Sequence, residues 1–336
     1  MSCKHFKNLF LLLAILALQA PMGCKSDHPP RTVEDDLEPV VVPRFERDSA
    51  FQFVAAQVAF GPRVPNTEAH LQCKDWLVEK FKSYGLEVIE QPFKAKAFYG
   101  EQLKGYNIMA QYRPELSKRI LLAAHWDSRF HADSPLNEER REEPILGADD
   151  GGSGVAVLLE IARQLQAHPA DIGVDLLLFD AEDQGSDDDS NPQPESWCLG
   201  SQHWSRNIVP PGYRPKYGIL LDMVGAANAK FPKEGVSMNY APKVVNKVWK
   251  LAKDLGYGNY FVETKSGPIT DDHYFVNTIA KIPMIDIINK SAATSTGFGA
   301  HWHTHDDDLD IINPRTLKAV GQTMLEVIYR EAANRF

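Results

Sequence analysis

GADDGGSGVAVLLEIARQLQAHPADIGVDLLLFDAED, residues 147–183, places a glycine-rich helix start, an apolar helix and a continuous apolar strand in succession. The helix is predicted over residues 150–166, and the strand begins at Val174. A further apolar strand, RILLAAHW, precedes the stretch at residues 119–126. Continuous apolar strands on either side of a helix are typical of a parallel sheet that is buried on both faces.

The same alternation of strands and helices continues on both sides of this stretch. We predict helices over residues 47–60, 67–85, 241–256 and 313–336, and strands over residues 86–93, 106–112, 217–226 and 282–289. The pattern predicts an α/β fold, a three-layer sandwich with a central mixed, mostly parallel sheet and helices on both faces. With no second boundary or repeat, residues 44–336 are predicted to form a single zinc-dependent catalytic domain, for reasons given below.

Composition and charge exclude some partners. The chain has 336 residues, of which 43% are hydrophobic and 24% charged, and its net charge is −9. An acidic balance disfavours nucleic acid and anionic membranes as main partners.

The N-terminus indicates export. Residues 1–24 carry two lysines before an apolar run that is too short to span a membrane comfortably. Cys24 after Gly23 favours a lipoprotein anchor, and cleavage after Ala20 is the alternative. Residues 25–43 are proline-rich and charged, which predicts a polar linker. We therefore expect a periplasmic protein of a bacterium, held at a membrane only through a lipid on Cys24.

Two cysteines, Cys73 and Cys198, fall in the predicted domain. One disulfide between them is possible, but the sequence does not establish that they are in contact. No pair has the CxxC spacing, which argues against a thiolate zinc site.

Ligand-type side chains follow the predicted strands where each one ends. The carboxyl ends of parallel strands form the ligand-binding edge of such a sheet, and imidazole and carboxylate groups are normal zinc ligands. Taken singly, an aspartate at a strand end is more often a cap or turn former. Their recurrence at successive strand ends predicts a metal site. The residues are His125, Asp127, Asp149, Asp150, Asp180, Glu182, Asp183, Asp222 and His303.

His303 belongs to GAHWHTHDDD, residues 299–308, which contains three alternating histidines. We expect His301 and His305 to face solvent beside a single functional His303. Asp306 to Asp308 are expected to form a capping turn or to support the ligands. The alternative is a surface tract that binds metal by chance.

Five motifs in order, HWDS, GADDGGSG, FDAED, LDMVG and WHT, resemble the zinc aminopeptidase superfamily. Within that superfamily, ITDDH at residues 269–273 and AHWHTHDD at residues 300–307 resemble the animal-type glutaminyl cyclases. The likeness covers roughly residues 50–335. It implies a three-layer α/β enzyme that uses one Zn²⁺ per chain to cyclise N-terminal glutamine of peptides and proteins to pyroglutamate, with release of ammonia. It also implies peptides or proteins with an N-terminal glutamine as partners, and we expect a monomer.

The resemblance assigns roles to matching positions. Zinc ligands are implied at Asp150, Asp183 and His303, and Glu182 matches the glutamate that shuttles a proton. Asp222 and Asp271 match carboxylates that hydrogen-bond near it. Trp302 matches a wall of the glutamine pocket, and Trp197 is a candidate for a second wall, with core packing as its alternative.

Some positions depart from the family pattern. Asp183 is one methylene shorter than the glutamate of the animal enzymes, and Asp286 occupies the position of a histidine. His125 matches a residue that binds a second metal in aminopeptidases.

Three other functions remain open from sequence alone. A two-zinc aminopeptidase would use His125 and Asp222 as additional ligands, with Glu182 activating a water. A non-catalytic binding lipoprotein on the same scaffold, or a metal-scavenging tract, would not require Glu182.

Overall fold

A computed structural model describes residues 38–188 and 190–336 of the chain. The predicted export signal, residues 1–24, and linker residues 25–37 lie outside the described residues. The end of the predicted linker is described, and Val40 and Val42 pack against the core of the domain.

The order of strands and helices follows the predicted alternation. The described strands are β1 Glu87–Lys96, β2 Gln102–Tyr112, β3 Arg119–His125, β4 Gly173–Phe179, β5 Gly218–Asp222, β6 Phe231–Lys233, β7 Phe261–Lys265 and β8 Met284–Ile288. The described α-helices are α1 Arg47–Val58, α2 Glu68–Ser83, α3 Gly152–Ala167, α4 Leu199–Arg206, α5 Gly235–Tyr240, α6 Pro242–Asp254, α7 Asp272–Phe275 and α8 Pro314–Ala332.

Six strands form the main sheet, in the order β1-β2-β4-β3-β5-β8. Strand β3 runs parallel to β4 and β5, and β5 runs parallel to β8. The other two pairings, β1 with β2 and β2 with β4, are antiparallel. The predicted mixed, mostly parallel sheet is therefore confirmed, and its parallel part is the part that carries the strand-end motifs.

Alternate side chains of the central strands enter two separate cores. Ile120 and Leu122 of β3 pack in a large core with residues of α1, α2, α3, α6 and α8. Leu121 and Ala123 pack on the other face with Trp204 of α4 and neighbours. Since every residue of β3 is buried, both faces of the sheet are covered, as the apolar run predicts. This confirms the three layers.

Several short elements are absent from the sequence prediction. They are α4, α5, α7 and the small parallel sheet of β6 and β7. Strand β6 has only three residues and contains a proline, and α5 has only six residues. Elements this short show too few repeats of an apolar period to be recognised, so tertiary packing determines them.

Both cysteines are free, buried thiols, so the possible disulfide between Cys73 and Cys198 does not form. Among the described residues, no helix is long and apolar enough to cross a membrane.

The first turn of α3 approaches β5 so closely that it requires glycine. A Cβ atom at Gly154 would collide with the backbone carbonyl of Leu221 and lie 2.9 Å from the Cβ of Ala124. We expect Gly154→Ala to lower the free energy of unfolding by about 1–3 kcal/mol, because overpacking against backbone outweighs the better helix propensity of alanine. Denaturant titration measures this difference.

Gly267→Ala is the matched control for Gly154→Ala. No atom lies within 4 Å of the position that its Cβ would occupy, so its stability should stay within about 0.5 kcal/mol of the parent. Equal stability of the two variants would contradict the close approach of α3 to β5.

Candidate active site

Three parallel strands end at one edge of the sheet and bring the predicted motifs together. Strand β3 ends at His125 and β5 ends at Asp222. The segment after β4 carries Glu182 and Asp183, and Asp150 lies two residues before α3 begins. These side chains therefore meet because neighbouring parallel strands point their carboxyl ends the same way.

A cavity of about 240 Å³ lies at this edge. Its lining includes the eight residues to which the family resemblance gave roles: Asp150, Glu182, Asp183, Trp197, Asp222, Asp271, Trp302 and His303. The strand-end candidates His125, Asp127, Asp149 and Asp180 do not line it. Asp286 does not line it and is fully buried behind it.

Asp150, Asp183 and His303 form a group that could hold a metal ion, with one ligand atom of each within 4.8 Å of the others. Nε2 of His303 lies 3.0 Å from Oδ1 of Asp183 and 3.8 Å from Oδ2 of Asp150. Oδ2 of Asp183 is buried without a hydrogen-bond partner, as expected of a ligand atom. One imidazole and two carboxylates fit zinc and leave room for a further ligand.

A second group of possible metal ligands shares Asp150. Nε2 of His125 lies 2.9 Å from Oδ1 of Asp150 and 3.2 Å from Oδ1 of Asp222. The same nitrogen lies 3.2 Å from the backbone nitrogen of Gly151. The lone pair that would bind a second metal therefore accepts a hydrogen bond from the backbone of Gly151.

Buried carboxylates crowd the floor of the cavity. Burial, together with the nearby charges of Asp271 and Asp183, raises the pKa of Glu182 well above its usual range. Burial, with Asp150 and Asp271 close by, raises the pKa of Asp222 to about 8. Burial also raises the pKa of Asp183 to about 6. Such a cluster favours a shared proton or a bound cation, because the carboxylates cannot all ionise cheaply.

His303 has its charged form stabilised by carboxylates on both sides of the ring. Burial alone would lower the pKa of His303, but the carboxylates of Asp183 and Asp133 outweigh it and raise this pKa to about 9. Nδ1 of His303 lies 3.2 Å from Oδ1 of Asp133. A carboxylate at the second ring nitrogen is the usual way to orient a metal-binding histidine.

Several strand-end carboxylates hold backbone instead of facing the cavity. Asp127 accepts hydrogen bonds from the backbone N–H groups of Glu182 and Asp183, at 3.0 and 3.1 Å. Asp180 accepts from the N–H groups of Tyr106 and Ala181, at 2.6 and 2.7 Å. These are the turn-forming roles that a single strand-end aspartate most often has.

Carboxylates also accept hydrogen bonds from the backbone of the turn that precedes α3. Asp307 accepts from the backbone N–H groups of Asp149 and Asp150, at 2.7 and 3.2 Å. Asp149 in turn accepts from the N–H groups of Gly225 and Ala226, at 2.6 and 3.0 Å. The supporting role predicted for Asp306 to Asp308 is thus seen at Asp307.

A fifth buried carboxylate, Glu234, fixes the segment that carries Asp271. It accepts hydrogen bonds from the backbone N–H groups of Val236, Ser237 and Ile269 and lies 3.0 Å from Nε2 of His273. We call Asp127, Asp149, Asp180, Glu234 and Asp307 the clamp carboxylates. All five are fully buried and tie together the loops that bear the site.

The expectation that His301 faces solvent is wrong. Its side chain is 11% exposed, and Nε2 lies 2.9 Å from Oδ2 of Asp149. The physical reason is that Asp149, a clamp carboxylate, needs a cationic partner in this buried position. His305 is partly exposed, with Nε2 3.2 Å from the carbonyl oxygen of Arg140.

Aromatic rings form the walls of the cavity. The ring of Trp302 stacks on His303 at 3.7 Å between centroids and on Phe298 at 4.8 Å. Trp197 also lines the cavity, and its Nε1–H donates to the carbonyl oxygen of Ser186. The alternative for Trp197, simple core packing, does not describe this position.

The sequence analysis assigned no site role to Arg129 or Cys198, which both lie near the cavity. Arg129 is fully buried and donates to the backbone carbonyls of Asp183 and Gly185, at 3.0 and 2.7 Å. The thiol of Cys198 lies 3.1 Å from Oε1 of Glu182. The only sequence signal for these two residues was the arginine that directly follows the HWDS motif, since a single cysteine does not by itself indicate a site.

Comparison with known proteins identifies one family, and the similar proteins include both glutaminyl cyclases and an exopeptidase. The model of peptidase family M28 matches residues 107–328. The crystal structure of a glutaminyl cyclase from Bacteroides thetaiotaomicron bound to N-acetylhistamine is 49% identical, covering 86% of this chain and 99% of that one with a TM-score of 0.83. A Zn-dependent exopeptidase from Parabacteroides distasonis is 50% identical, with 86% and 99% covered and a TM-score of 0.84. The mouse glutaminyl-peptide cyclotransferase-like protein is 25% identical over 78% of this chain and 70% of its own length.

Proposed function

The chain belongs to peptidase family M28, and from that premise we propose that it is a zinc-dependent glutaminyl-peptide cyclotransferase. It would convert the N-terminal glutamine of peptides and proteins to pyroglutamate and release ammonia. The observation that carries the proposal is that the possible metal ligands, Glu182 and two tryptophans all line one cavity of about 240 Å³. Similar solved structures include several bacterial glutaminyl cyclases at 48–50% identity.

Asp150, Asp183 and His303 would hold the metal, one ion per chain. Bound zinc would act as a Lewis acid that polarises the carbonyl of the substrate γ-amide. The cavity walls of Trp302 and Trp197 would hold the glutamine side chain in a folded conformer. Holding the α-amine against its own γ-carbonyl supplies most of the advantage of an intramolecular reaction.

Glu182 would manage the proton. The α-nitrogen attacks the γ-carbonyl carbon, and Glu182 accepts the proton that this nitrogen loses. The same carboxyl then delivers the proton to the γ-amide nitrogen as the carbon–nitrogen bond breaks and ammonia leaves. A carboxyl with a raised pKa suits both steps, because it takes up a proton more readily than an ordinary carboxylate and can still give it back. Asp222 and Asp271 would share a proton beside it.

Export completes the proposal. Residues 1–24 would direct the chain to the periplasm, with a lipid on Cys24, and residues 25–43 would tether the catalytic domain, residues 44–336. Its partners there would be exported proteins or peptides with an N-terminal glutamine, and the enzyme would act as a monomer.

The alternative is a two-zinc aminopeptidase, and one observation favours it. His125, Asp150 and Asp222 form a second group that could hold a metal and share Asp150 with the first. Against it, the backbone N–H of Gly151 donates a hydrogen bond to Nε2 of His125, which occupies the lone pair that a second metal would need. Two zinc ions per chain would support this alternative.

One assay separates the two functions. A glutamine-initiated dipeptide is incubated with the protein lacking residues 1–24, and ammonia and free amino acid are measured in the same tube. The cyclase releases ammonia alone and contains one zinc per chain. Amino acid without ammonia would overturn the cyclase.

The carboxylate behind His303 gives a sharper test of the metal site. We expect Asp133→Asn to weaken zinc binding by about 10- to 100-fold, because the amide orients the imidazole less strongly than a carboxylate. Zinc titration against a chelator of known affinity measures the change. Asp306→Asn, which removes an exposed charge nearby, should leave zinc affinity unchanged. Equal affinities of the two variants would show that Asp133 does not support the metal.

A further inference from the structure

A second cavity of about 430 Å³ lies beside the active site. Its walls include Pro194, Glu195, Pro268, Ile269, Thr270 and Tyr274. Most of this lining is apolar or aromatic, and the ring of Tyr274 is 37% exposed. Among the described residues that line it, Glu195 alone is charged.

The two cavities are adjacent and share part of one wall. Ile269 and Thr270 line both of them. The segment after Asp183 contributes Trp197 to the first cavity, and Pro194 and Glu195 to the second. The same two loops therefore border both cavities, so a peptide chain that leaves the first cavity along these loops passes the second.

The wall between the cavities is held in place before any substrate binds. The backbone N–H of Ile269 donates to the clamp carboxylate Glu234 at 3.0 Å. The backbone N–H of Tyr274 donates to the carbonyl of Asp271 at 2.8 Å. A preformed wall spares a ligand the entropy of ordering a loop.

The chemistry of the second cavity selects a particular kind of side chain. Apolar walls suit a long aliphatic stem, and the face of Tyr274 suits a cation. Glu195 is exposed, and among the described residues none forms a hydrogen bond or an ion pair with its carboxylate. An apolar stem that ends in a positive charge matches all three features, and the net charge of −9 favours a cationic ligand.

We propose that the second cavity binds the side chain of a lysine or arginine at the second or third position of the substrate peptide. This inference rests on the proposed function, because it takes the N-terminal glutamine to lie in the first cavity. The site would then select glutamine-initiated peptides with an early basic residue over neutral or acidic ones.

The experiment measures kcat/KM for ammonia release from two series of amidated tripeptides, Gln-Xaa-Ala and Gln-Ala-Xaa. Xaa is lysine, arginine, norleucine or glutamate. Norleucine keeps the aliphatic stem of lysine and lacks the charge, so the lysine-to-norleucine ratio isolates the contribution of Glu195. In one series we expect this ratio to be about two- to fivefold, the range of an exposed ion pair.

Three variants test the assignment. Glu195→Gln should bring the lysine-to-norleucine ratio to about one, and Glu195→Lys should invert it. Tyr274→Ala should lower kcat/KM for the arginine peptide more than for the glutamate peptide. Glu79→Gln, on the exposed face of α2, is the matched control and should leave every ratio as in the parent.

Two outcomes would overturn different conclusions. A lysine-to-norleucine ratio of one in both series, or a ratio that Glu195→Gln leaves unchanged, overturns the basic-residue site while cyclisation of the norleucine peptides upholds the proposed function. Failure to release ammonia from any peptide overturns the proposed function itself.

Discussion

Replacing Glu182 by glutamine should lower kcat for ammonia release by about 10²- to 10⁴-fold, the usual contribution of a positioned general acid–base. The amide has nearly the same shape, but it can neither take the proton from the α-amine nor return it to the leaving nitrogen. The substitution also removes a buried carboxyl that is crowded by Asp271 and Asp183. We therefore expect the melting temperature to stay the same or to rise, with zinc content unchanged.

Glu160→Gln is the control for Glu182→Gln and should have the opposite effects on activity and stability. Glu160 is a fully buried carboxylate of α3 that pairs with Arg163 at 2.7 Å and binds Gln164 at 2.7 Å, away from the cavity. Its replacement should lower stability and leave kcat per folded molecule unchanged. If Glu182→Gln kept more than about a tenth of the parent kcat, Glu182 would not be the proton shuttle.

Removing zinc should abolish ammonia release and lower the melting temperature, more strongly at higher pH. In the metal-free protein the pKa of Asp222 is raised to about 8 and that of His303 to about 9. A raised folded-state pKa adds stability that is complete below the unfolded value and is lost as pH rises through the folded one. The metal-free protein should therefore lose stability from about pH 4, where unfolded Asp222 ionises, to about pH 9, the folded value of His303.

Zinc changes this balance because its ligands must be deprotonated, so its stabilisation grows as pH rises. A thousandfold excess of zinc over its dissociation constant adds about 4 kcal/mol, or about 10 °C in a chain of this size. Melting temperatures with chelator and with zinc should thus diverge from pH 6 to pH 9. His303→Ala should show a much smaller difference between the two conditions. A gap of constant size across this pH range would contradict a metal held by these buried groups.

Sequence patterns predicted the sheet and the meeting of the strand-end motifs well, for a physical reason. The central strands are apolar throughout and buried on both faces, and parallel strands bring their carboxyl ends to one edge. Any ligand-type residue just after such a strand must therefore lie near that edge. Glu182, Asp183 and Asp222 line the cavity for this reason. The other five assigned residues lie farther from the strand ends, and the family resemblance assigned them to the site. Their individual roles stay predictions until the variants are measured.

What the sequence could not separate is which carboxylates face the cavity and which bind backbone. Asp149 and Asp150 are adjacent and chemically identical, yet the first binds two N–H groups and the second belongs to the metal group. Side-chain direction at a tight turn depends on local backbone angles that composition does not encode. His301 is buried because it pairs with Asp149. The sequence did not predict this burial, because it did not show which way the side chain of Asp149 points.

The clamp carboxylates have an evolutionary consequence. Since Asp127, Asp180 and Asp307 hold the loops through backbone N–H groups, the course of those loops does not depend on which side chains project into the cavity. Point substitutions at cavity positions can then be sampled one at a time without loss of the fold. The proteins that this chain resembles include one described as an exopeptidase and others described as glutaminyl cyclases, so similar folds are associated with both peptide hydrolysis and ring closure.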